Sequence, residues 1–108
     1  MINVNTISVH ELHKKLNTVN IIEIRESCEI NGGKILTSEI ILSIGLYLNH
    51  SFLLDRKKEY YVLTVSNLQS HKPIAFLLEQ GYNITYVDGG TQEYSKHYLL
   101  EFVKKSSC

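Results

Sequence analysis

The sequence has few of the residues that cross-link a chain or interrupt its regular secondary structure: two cysteines, one proline and six glycines in 108 residues. Two cysteines, Cys28 and Cys108, are too few for a disulfide scaffold, and neither stands in the CxxC or Cys/His spacing of a structural zinc site. So little proline and glycine also argues against a disordered chain. We therefore expect a fold held by its apolar core, with no metal and no cofactor.

An excess of charge of one sign is also absent, because eleven lysines and arginines balance eleven aspartates and glutamates. Without a basic field, binding to nucleic acid or to an anionic membrane is not expected. Long apolar runs are missing too, and residues 1–11 have neither the basic start nor the apolar block of a signal peptide. We therefore expect a cytoplasmic protein.

Apolar residues are present in the proportion that one core needs, at 44% hydrophobic against 20% charged. A domain of this size buries roughly two thirds of its unfolded-chain surface, which suffices for one core but not for two. We expect residues 1–108 to form a single domain. Any active site must then lie on that scaffold or on a partner.

The N-terminal half predicts two helices and two strands. Ser8 can cap a helix while Glu11, three residues on, reaches back to the cap amide. Short β-branched or apolar runs predict the strands. The predicted elements are helix Val9–Asn17, strand Ile21–Ile24, a polar loop Arg25–Gly33, strand Glu39–Leu42 and helix Ile44–Leu54.

The C-terminal half predicts two strands and two helices. Pro73 is tolerated in the first turn of a helix, and Gly81 is typical of a helix end. Tyr94, Tyr98 and Phe102, with Leu99 and Val103 beside them, recur at the spacing of a last helix. The other predicted elements are strand Tyr60–Leu63, helix Ser70–Gln80 with Ile74, Leu77 and Leu78 inward, strand Ile84–Val87 and the turn Asp88–Gly90.

Strands that alternate with helices predict an α/β fold, with a mostly parallel central sheet of about five strands and helices on both faces. Ligands of such sheets bind at the carboxyl ends of the strands. The segment that follows Leu63 is therefore the candidate site.

The order of the motifs resembles the rhodanese-like domain, a single-domain sulfurtransferase fold. Segment 22–29, IEIRESCE, is similar to the family's hydrophobic-Asp-Val-Arg stretch with a glutamate four residues later, and 33–38, GKILTS, lies where Gly-His-Ile-Pro-Gly-Ala is usual. In the C-terminal half, residues 61–64 resemble the strand that delivers the active cysteine, and Ser70 matches the serine that opens the following helix. Residues 81–83 resemble the end of that helix and 88–90 the turn before the last helix, with Tyr94 where tryptophan is common. The resemblance covers about residues 6–95, with 96–108 left as the end of the last helix and a tail.

This resemblance implies an active-site loop over residues 64–70, but the chain departs from the family there. An active loop has a cysteine where Thr64 stands, small residues, and usually a basic residue before the helix serine, where Gln69 stands. Sulfur transfer needs a thiolate that carries a persulfide, and a threonine hydroxyl cannot carry it. The loop also supplies no His, Lys, Asp or Glu as a general base. Its residues are Thr64, Val65, Ser66, Asn67, Leu68, Gln69 and Ser70.

Several residues outside the loop are candidates for supporting roles. The resemblance suggests that Arg25 forms an ion pair near the site, with Glu29 as a partner for it or for a backbone amide, while Glu23 replaces the usual aspartate with one more methylene. A purely structural ion pair is the simpler reading. Cys28 is an alternative thiol, or an incidental one.

The histidines are expected to lie apart on the solvated surface, although His10 and His13, three apart on a helix, could share a metal weakly. His71 and Lys72 open the helix beside the loop and are expected to face solvent, or else to place positive charge at the loop mouth.

Three functions remain open from the sequence. The first is a rhodanese-like module, catalytically inactive, that keeps the loop to bind an unknown protein or a small anion. The second is a sulfurtransferase or sulfur carrier that uses a displaced thiol such as Cys28. The third is a structural protein that acts as an oligomer.

Overall fold

A five-stranded parallel sheet forms the centre of the protein, as the sequence predicts. The structure is a computed structural model that describes residues 4–26, 32–68 and 71–103. The strands are β1 (Asn5–Ile7), β2 (Asn20–Arg25), β3 (Gly32–Lys34), β4 (Glu39–Leu42), β5 (Glu59–Leu63), β6 (Asn83–Val87) and β7 (Glu101–Val103). The central sheet has the order β1-β6-β5-β2-β4, and every pairing in it is parallel. Strand β5 therefore lies in the middle.

Four helices cover both faces of this sheet. They are α1 (Val9–His13), α2 (Ser43–Leu53), α3 (Lys72–Glu79) and α4 (Gly90–Ser95). The alternating side chains of β2 show the two layers: Ile22 and Ile24 pack with α2 and α3, whereas Ile21 packs with α1 and α4. Because both faces are covered, these strands are almost continuously apolar, which is the pattern that identified them.

Helix α1 begins where the sequence predicts and ends earlier. Ser8 Oγ accepts a hydrogen bond from the Glu11 N–H, and the Glu11 carboxylate accepts one from the Ser8 N–H, which completes the capping box. The predicted helix to Asn17 is wrong, because α1 ends at His13. Residues 14–18 form turns closed by N–H groups of Lys15 and Thr18 instead.

Helix α3 ends as predicted. Gly81, at φ +89°, follows it, and the N–H groups of Gly81 and Tyr82 donate to the carbonyls of Leu78 and Leu77. The predicted start, Ser70, lies outside the described residues, and the described helix begins at Lys72 with Pro73 in its first turn. Of the three side chains predicted to point inward, Leu78 is only partly buried.

The prediction of one long C-terminal helix is wrong. Helix α4 ends at Ser95, and residues 101–103 form β7, which pairs antiparallel with β3 in a separate two-stranded ribbon. The predicted loop over 25–33 is wrong at its end, because β3 begins at Gly32. A β carbon on Gly33 would lie 2.6 Å from the Leu100 side chain, so this glycine permits the close contact. The spacing of four between Tyr94 and Tyr98 is real, but pairing with a distant strand overrides helix extension beyond it.

The edge strand β1 was not predicted. It has only three residues and pairs with β6, Asn5 opposite Thr85 and Ile7 opposite Val87. So short a strand has no readable alternation, and its partner lies about eighty residues away in sequence. Among the described residues, no helix has the length and apolar character to cross a membrane.

Candidate functional site

The candidate loop follows the central strand β5 at the carboxyl end of the sheet. Thr64, directly after the strand, is buried, and its hydroxyl donates a 2.8 Å hydrogen bond to the Ser66 carbonyl. Val65 and Ser66 are partly buried, whereas Asn67 and Leu68 are exposed. Gln69 and Ser70, the rest of the predicted loop, lie outside the described residues.

The Asn67 side chain ties this loop to the turn between β6 and α4. Its Oδ1 accepts hydrogen bonds from the Tyr86 hydroxyl at 2.7 Å and from the Gly89 N–H at 2.9 Å. Its Nδ2 donates to the Asp88 carboxylate at 2.8 Å. Asn67 therefore braces the loop across the sheet, a role that its sequence position gave no sign of.

The first turn of α4 completes the closure of the loop. The N–H groups of Thr91 and Gln92 donate to the carbonyls of Thr64 and Val65 at 3.0 and 2.9 Å. These two loop carbonyls thereby satisfy donors that a helix start otherwise leaves without acceptors. The loop backbone is thus held from β6, from the turn and from α4.

A buried ion pair lies next to the loop. Glu23 is 0% exposed, and its carboxylate accepts a 2.6 Å hydrogen bond from the buried Arg25 guanidinium, which also donates to the Gly33 carbonyl. The sequence predicted an ion pair for Arg25 and a structural role for Glu23, but not that each is the partner of the other. Glu29, the partner named from the resemblance, lies outside the described residues, as does Cys28.

The Glu23 carboxylate also joins three separate segments. Its Oε1 accepts from the Thr91 hydroxyl on α4 at 2.6 Å, and its Oε2 accepts from the Ile35 N–H at 2.7 Å and the Ser38 hydroxyl at 2.5 Å. Each oxygen therefore has two donors, counting Arg25. The extra methylene relative to aspartate lengthens the reach of this carboxylate toward those donors.

A cavity of about 240 Å³ lies between α4 and the β3–β7 ribbon, beside the loop. Of the described loop residues, Val65 lines it, and Arg25 forms part of its wall. Its lining consists of Arg25, Gly33, Val65, Thr91, Gln92, Ser95 and Leu100. The sequence gave no signal for this cavity, because the last helix was predicted to continue through the residues that form the ribbon.

The sequence suggested that the histidines lie apart, but three of the five, His10, His13 and His97, lie together. His10 and His13 of α1 each place Nδ1 2.7 Å from a tyrosine hydroxyl, of Tyr98 and Tyr94 respectively, and the His97 ring contacts His10 at 4.6 Å between centroids. These rings join α1 to the C-terminal end of α4. In the described parts of the chain, no three His, Cys, Asp or Glu side chains are placed to hold a metal ion.

His71 approaches the loop rather than facing only solvent. Its Nε2 lies 3.3 Å from the Tyr86 hydroxyl, and the residue is partly buried, whereas Lys72 is exposed. Burial raises the pKa of the Tyr86 phenol above its ordinary value of 10.0, a hydrogen bond with Thr64 lowers it, and the nearby Asp88 carboxylate raises it further. The net effect is a raised pKa, which keeps Tyr86 a neutral phenol at physiological pH.

The raised pKa of Tyr86 predicts a loss of stability in alkali. The folded chain holds this proton more tightly than the unfolded chain, so the stabilisation is complete below pH 10 and is lost as pH rises through the folded pKa. In urea denaturation between about pH 9 and pH 11, Tyr86→Phe is expected to lose less free energy of unfolding than the wild type. Equal losses in both proteins would contradict the assignment. Tyr47 and Tyr94, whose pKa values burial also raises, contribute to the loss that remains.

Three solved structures share this architecture. A rhodanese-related protein from Thermoplasma volcanium is 26% identical, with a TM-score of 0.78 over 90% of this chain and 97% of the other. A protein from Staphylococcus saprophyticus is 27% identical, with a TM-score of 0.77 over 91% and 99%. A rhodanese-like domain protein from Staphylococcus aureus is 23% identical, with a TM-score of 0.79 over 94% and 100%. No protein-family model matches the chain, and no curated protein matches it significantly.

The chain has the rhodanese-like fold. The parallel five-stranded sheet agrees with the resemblance that the motifs indicated, and the structures named above match this chain over nearly their whole length.

Proposed function

We propose that this protein is a rhodanese-like module without sulfurtransferase activity, whose loop serves to bind a partner. The observation that carries the proposal is the state of Thr64, which occupies the nucleophile position implied by the resemblance. Its side chain is buried, and its hydroxyl donates to the Ser66 carbonyl within the same loop. A hydroxyl held in this way is not a thiolate, and its proton is already engaged by the Ser66 carbonyl.

The surroundings of Thr64 also lack a suitable base among the contacts that the described residues make with it. The group that interacts with its hydroxyl besides Ser66 is the Tyr86 phenol. A phenol accepts a proton only as phenolate, and the raised pKa of Tyr86 disfavours that form at neutral pH. Among the described residues, the groups in direct contact with the Thr64 hydroxyl therefore offer it no base at neutral pH.

A protein partner fits the loop better than a small anion does. The loop tip presents Leu68, 95% exposed, on a backbone that Asn67 braces from two sides. A braced loop loses little conformational entropy when it binds. An anion would instead meet the Asp88 carboxylate, which Asn67 holds next to the loop. Cytoplasmic location remains part of this proposal, as the composition predicts.

The test is thiosulfate-to-cyanide sulfur transfer by the wild type, Thr64→Cys and the matched control Thr64→Ser. In an active rhodanese site, a thiolate takes the outer sulfur of thiosulfate and releases sulfite, and cyanide then removes that sulfur as thiocyanate and restores the thiolate. We expect no thiocyanate from the wild type or Thr64→Ser. Thr64→Cys, made in a Cys28→Ser background, is expected to gain the mass of one sulfur atom on incubation with thiosulfate.

Thiocyanate formation by the wild type would contradict the proposal. If that activity disappeared in Cys28→Ser, the alternative of a sulfurtransferase or sulfur carrier with a displaced thiol would replace it. Failure of Thr64→Cys to take up sulfur, with the fold intact by circular dichroism, would show that the loop geometry as well as the nucleophile has departed from the active form.

A further inference from the structure

Helix α2 exposes a row of large apolar side chains, which we call the α2 patch. Its members and their exposed fractions are Ile44 at 62%, Tyr47 at 37%, Leu48 at 72%, Phe52 at 89% and Leu53 at 47%. Spacings of three and four residues place Ile44, Tyr47 and Leu48 on one side of the helix. Asn49, at φ −129° and ψ 19°, kinks the helix without removing Phe52 from the surface.

The area of the α2 patch lies at the upper end of the range that monomeric proteins expose. Large apolar side chains offer roughly 200 Å² each when fully exposed, so these fractions leave on the order of 600 Å² of apolar surface. The largest patch on a typical monomer is about 300–600 Å². A stable interface uses about 800 Å² per partner, which the α2 patch approaches before any flanking residue is counted. The Phe76 ring on α3, 4.9 Å from the Tyr47 ring, extends it.

The chemistry of the patch suits an identical surface. None of the eleven residues of α2 is Asp, Glu, Lys or Arg, so two copies of this face meet without like-charge repulsion. The whole chain has a formal net charge of zero, so two copies do not repel each other at long range either. A partner that binds through complementary charges would find no Asp, Glu, Lys or Arg of α2 to pair with.

The shape of the patch is also self-complementary. Ile44 and Leu48, four residues apart before the kink at Asn49, form a ridge of the kind that interdigitates between two helices in the most frequent helix-packing class. Gly45 lies beside this ridge, and a β carbon added to it would find nothing within 4 Å. The missing side chain at Gly45 leaves open space for a side chain of the facing helix. Leu48, at the middle of the α2 patch in sequence, lies nearest the two-fold axis of such a pair.

We propose that the α2 patch is the interface of a homodimer, in which α2 of one copy packs against α2 of a second copy. The two copies are related by a two-fold axis, so the same side chains occur on both sides. The loop after β5 lies at the carboxyl end of the sheet and contributes no residue to the patch, so both loops of the dimer remain available to bind. The proposal is independent of sulfur chemistry.

Analytical ultracentrifugation from about 1 µM to 1 mM, with reductant to prevent disulfides, tests this directly. The wild type is expected to shift from monomer to dimer across the series. Leu48→Glu is expected to raise the dissociation constant by roughly 100-fold, because dimerisation then buries two like charges near the axis. Leu99→Glu is the matched control, since Leu99 is 95% exposed and lies outside the patch, and it is expected to dimerise as the wild type does.

A mixture of two variants tests the two-fold arrangement. Leu48→Glu and Leu48→Lys are each expected to be monomeric alone, and to associate as a mixed dimer when combined, because opposite charges then meet at the axis. Phe52→Glu provides a second charged position if either Leu48 variant proves unstable. The proposal is overturned if the wild type stays monomeric throughout, if Leu48→Glu and Phe52→Glu dimerise like the wild type, or if Leu99→Glu dissociates to the same extent.

Discussion

Replacing Glu23 by alanine is expected to cost about 3–5 kcal/mol of folding free energy, the range for removing one partner of a buried ion pair. The change leaves the Arg25 guanidinium, only 3% exposed, without the carboxylate 2.6 Å away. It also leaves the hydroxyls of Ser38 and Thr91 without this acceptor. The free energy of unfolding of a single domain is about 5–15 kcal/mol in total. Urea denaturation should therefore show a variant that is only marginally stable.

Glu39→Ala is the matched control for this prediction. Glu39 lies on β4, where it is paired with Ile22 on the neighbouring strand, and it is exposed. Its replacement should change the free energy of unfolding by less than about 0.5 kcal/mol, as surface substitutions usually do. Equal midpoints for the two alanine variants would refute the role assigned to the buried carboxylate.

Glu23→Asp distinguishes the charge from the reach of the side chain. Aspartate is the residue usual at this position in the family that the chain resembles, and it keeps the negative charge beside Arg25. A shorter side chain cannot hold all four hydrogen bonds at their present lengths, so we expect a loss of about 1–3 kcal/mol. A stability equal to the wild type would mean that the surrounding segments close up at no cost.

Replacing Gly90 by alanine is expected to produce the second-largest loss, about 3 kcal/mol or more, from backbone strain together with overpacking. Gly90 has φ +66°, where a β carbon is disfavoured. The added carbon would overlap the Thr64 carbonyl oxygen and lie 2.8 Å from that of Val65. Because backbone rather than a flexible side chain is in the way, the loop and α4 must move apart, which weakens the hydrogen bonds between them.

Gly45→Ala is the control for Gly90→Ala, because the same substitution is made where it meets no obstacle. Gly45 lies inside α2 with open space around its α carbon, so alanine should stabilise the chain by about 0.5–1 kcal/mol through helix propensity. Both variants are compared with the wild type by thermal and urea unfolding at one low protein concentration. If Gly90→Ala is as stable as Gly45→Ala, the loop moves away from the added β carbon with no loss of free energy of unfolding, and the prediction is wrong.

The sequence predicted the elements whose signals are local. The β-branched and apolar runs located β2, β4, β5 and β6. Ser8 with Glu11 located the start of α1, and Gly81 the end of α3. It failed where a long-range contact decides the outcome. Residues 101–103 form β7 because they pair with a segment about seventy residues earlier, and no helical spacing reveals that partner.

The candidate site was predicted in position but not in structure. Alternation of strands and helices placed it after Leu63, at the carboxyl end of the central strand. The brace from Asn67 to Asp88 and Gly89 was invisible, because these residues come together only when β5 and β6 lie side by side. The pairing of Glu23 with Arg25 was missed for a different reason: residues two apart on a strand share one face, but the predicted strand ended at Ile24 and left Arg25 in the loop.

The sequence by itself determined the α/β class, the parallel sheet and the absence of cysteine at the end of β5, since composition, periodicity and residue identity are local properties. The tertiary structure decided which groups share a buried environment: the four donors that converge on Glu23, the approach of Gly90 to the loop carbonyls, and the uncovered apolar side of α2. These depend on distances between segments far apart in the chain. Burial and hydrogen bonding between such segments arise only when the whole sheet has assembled.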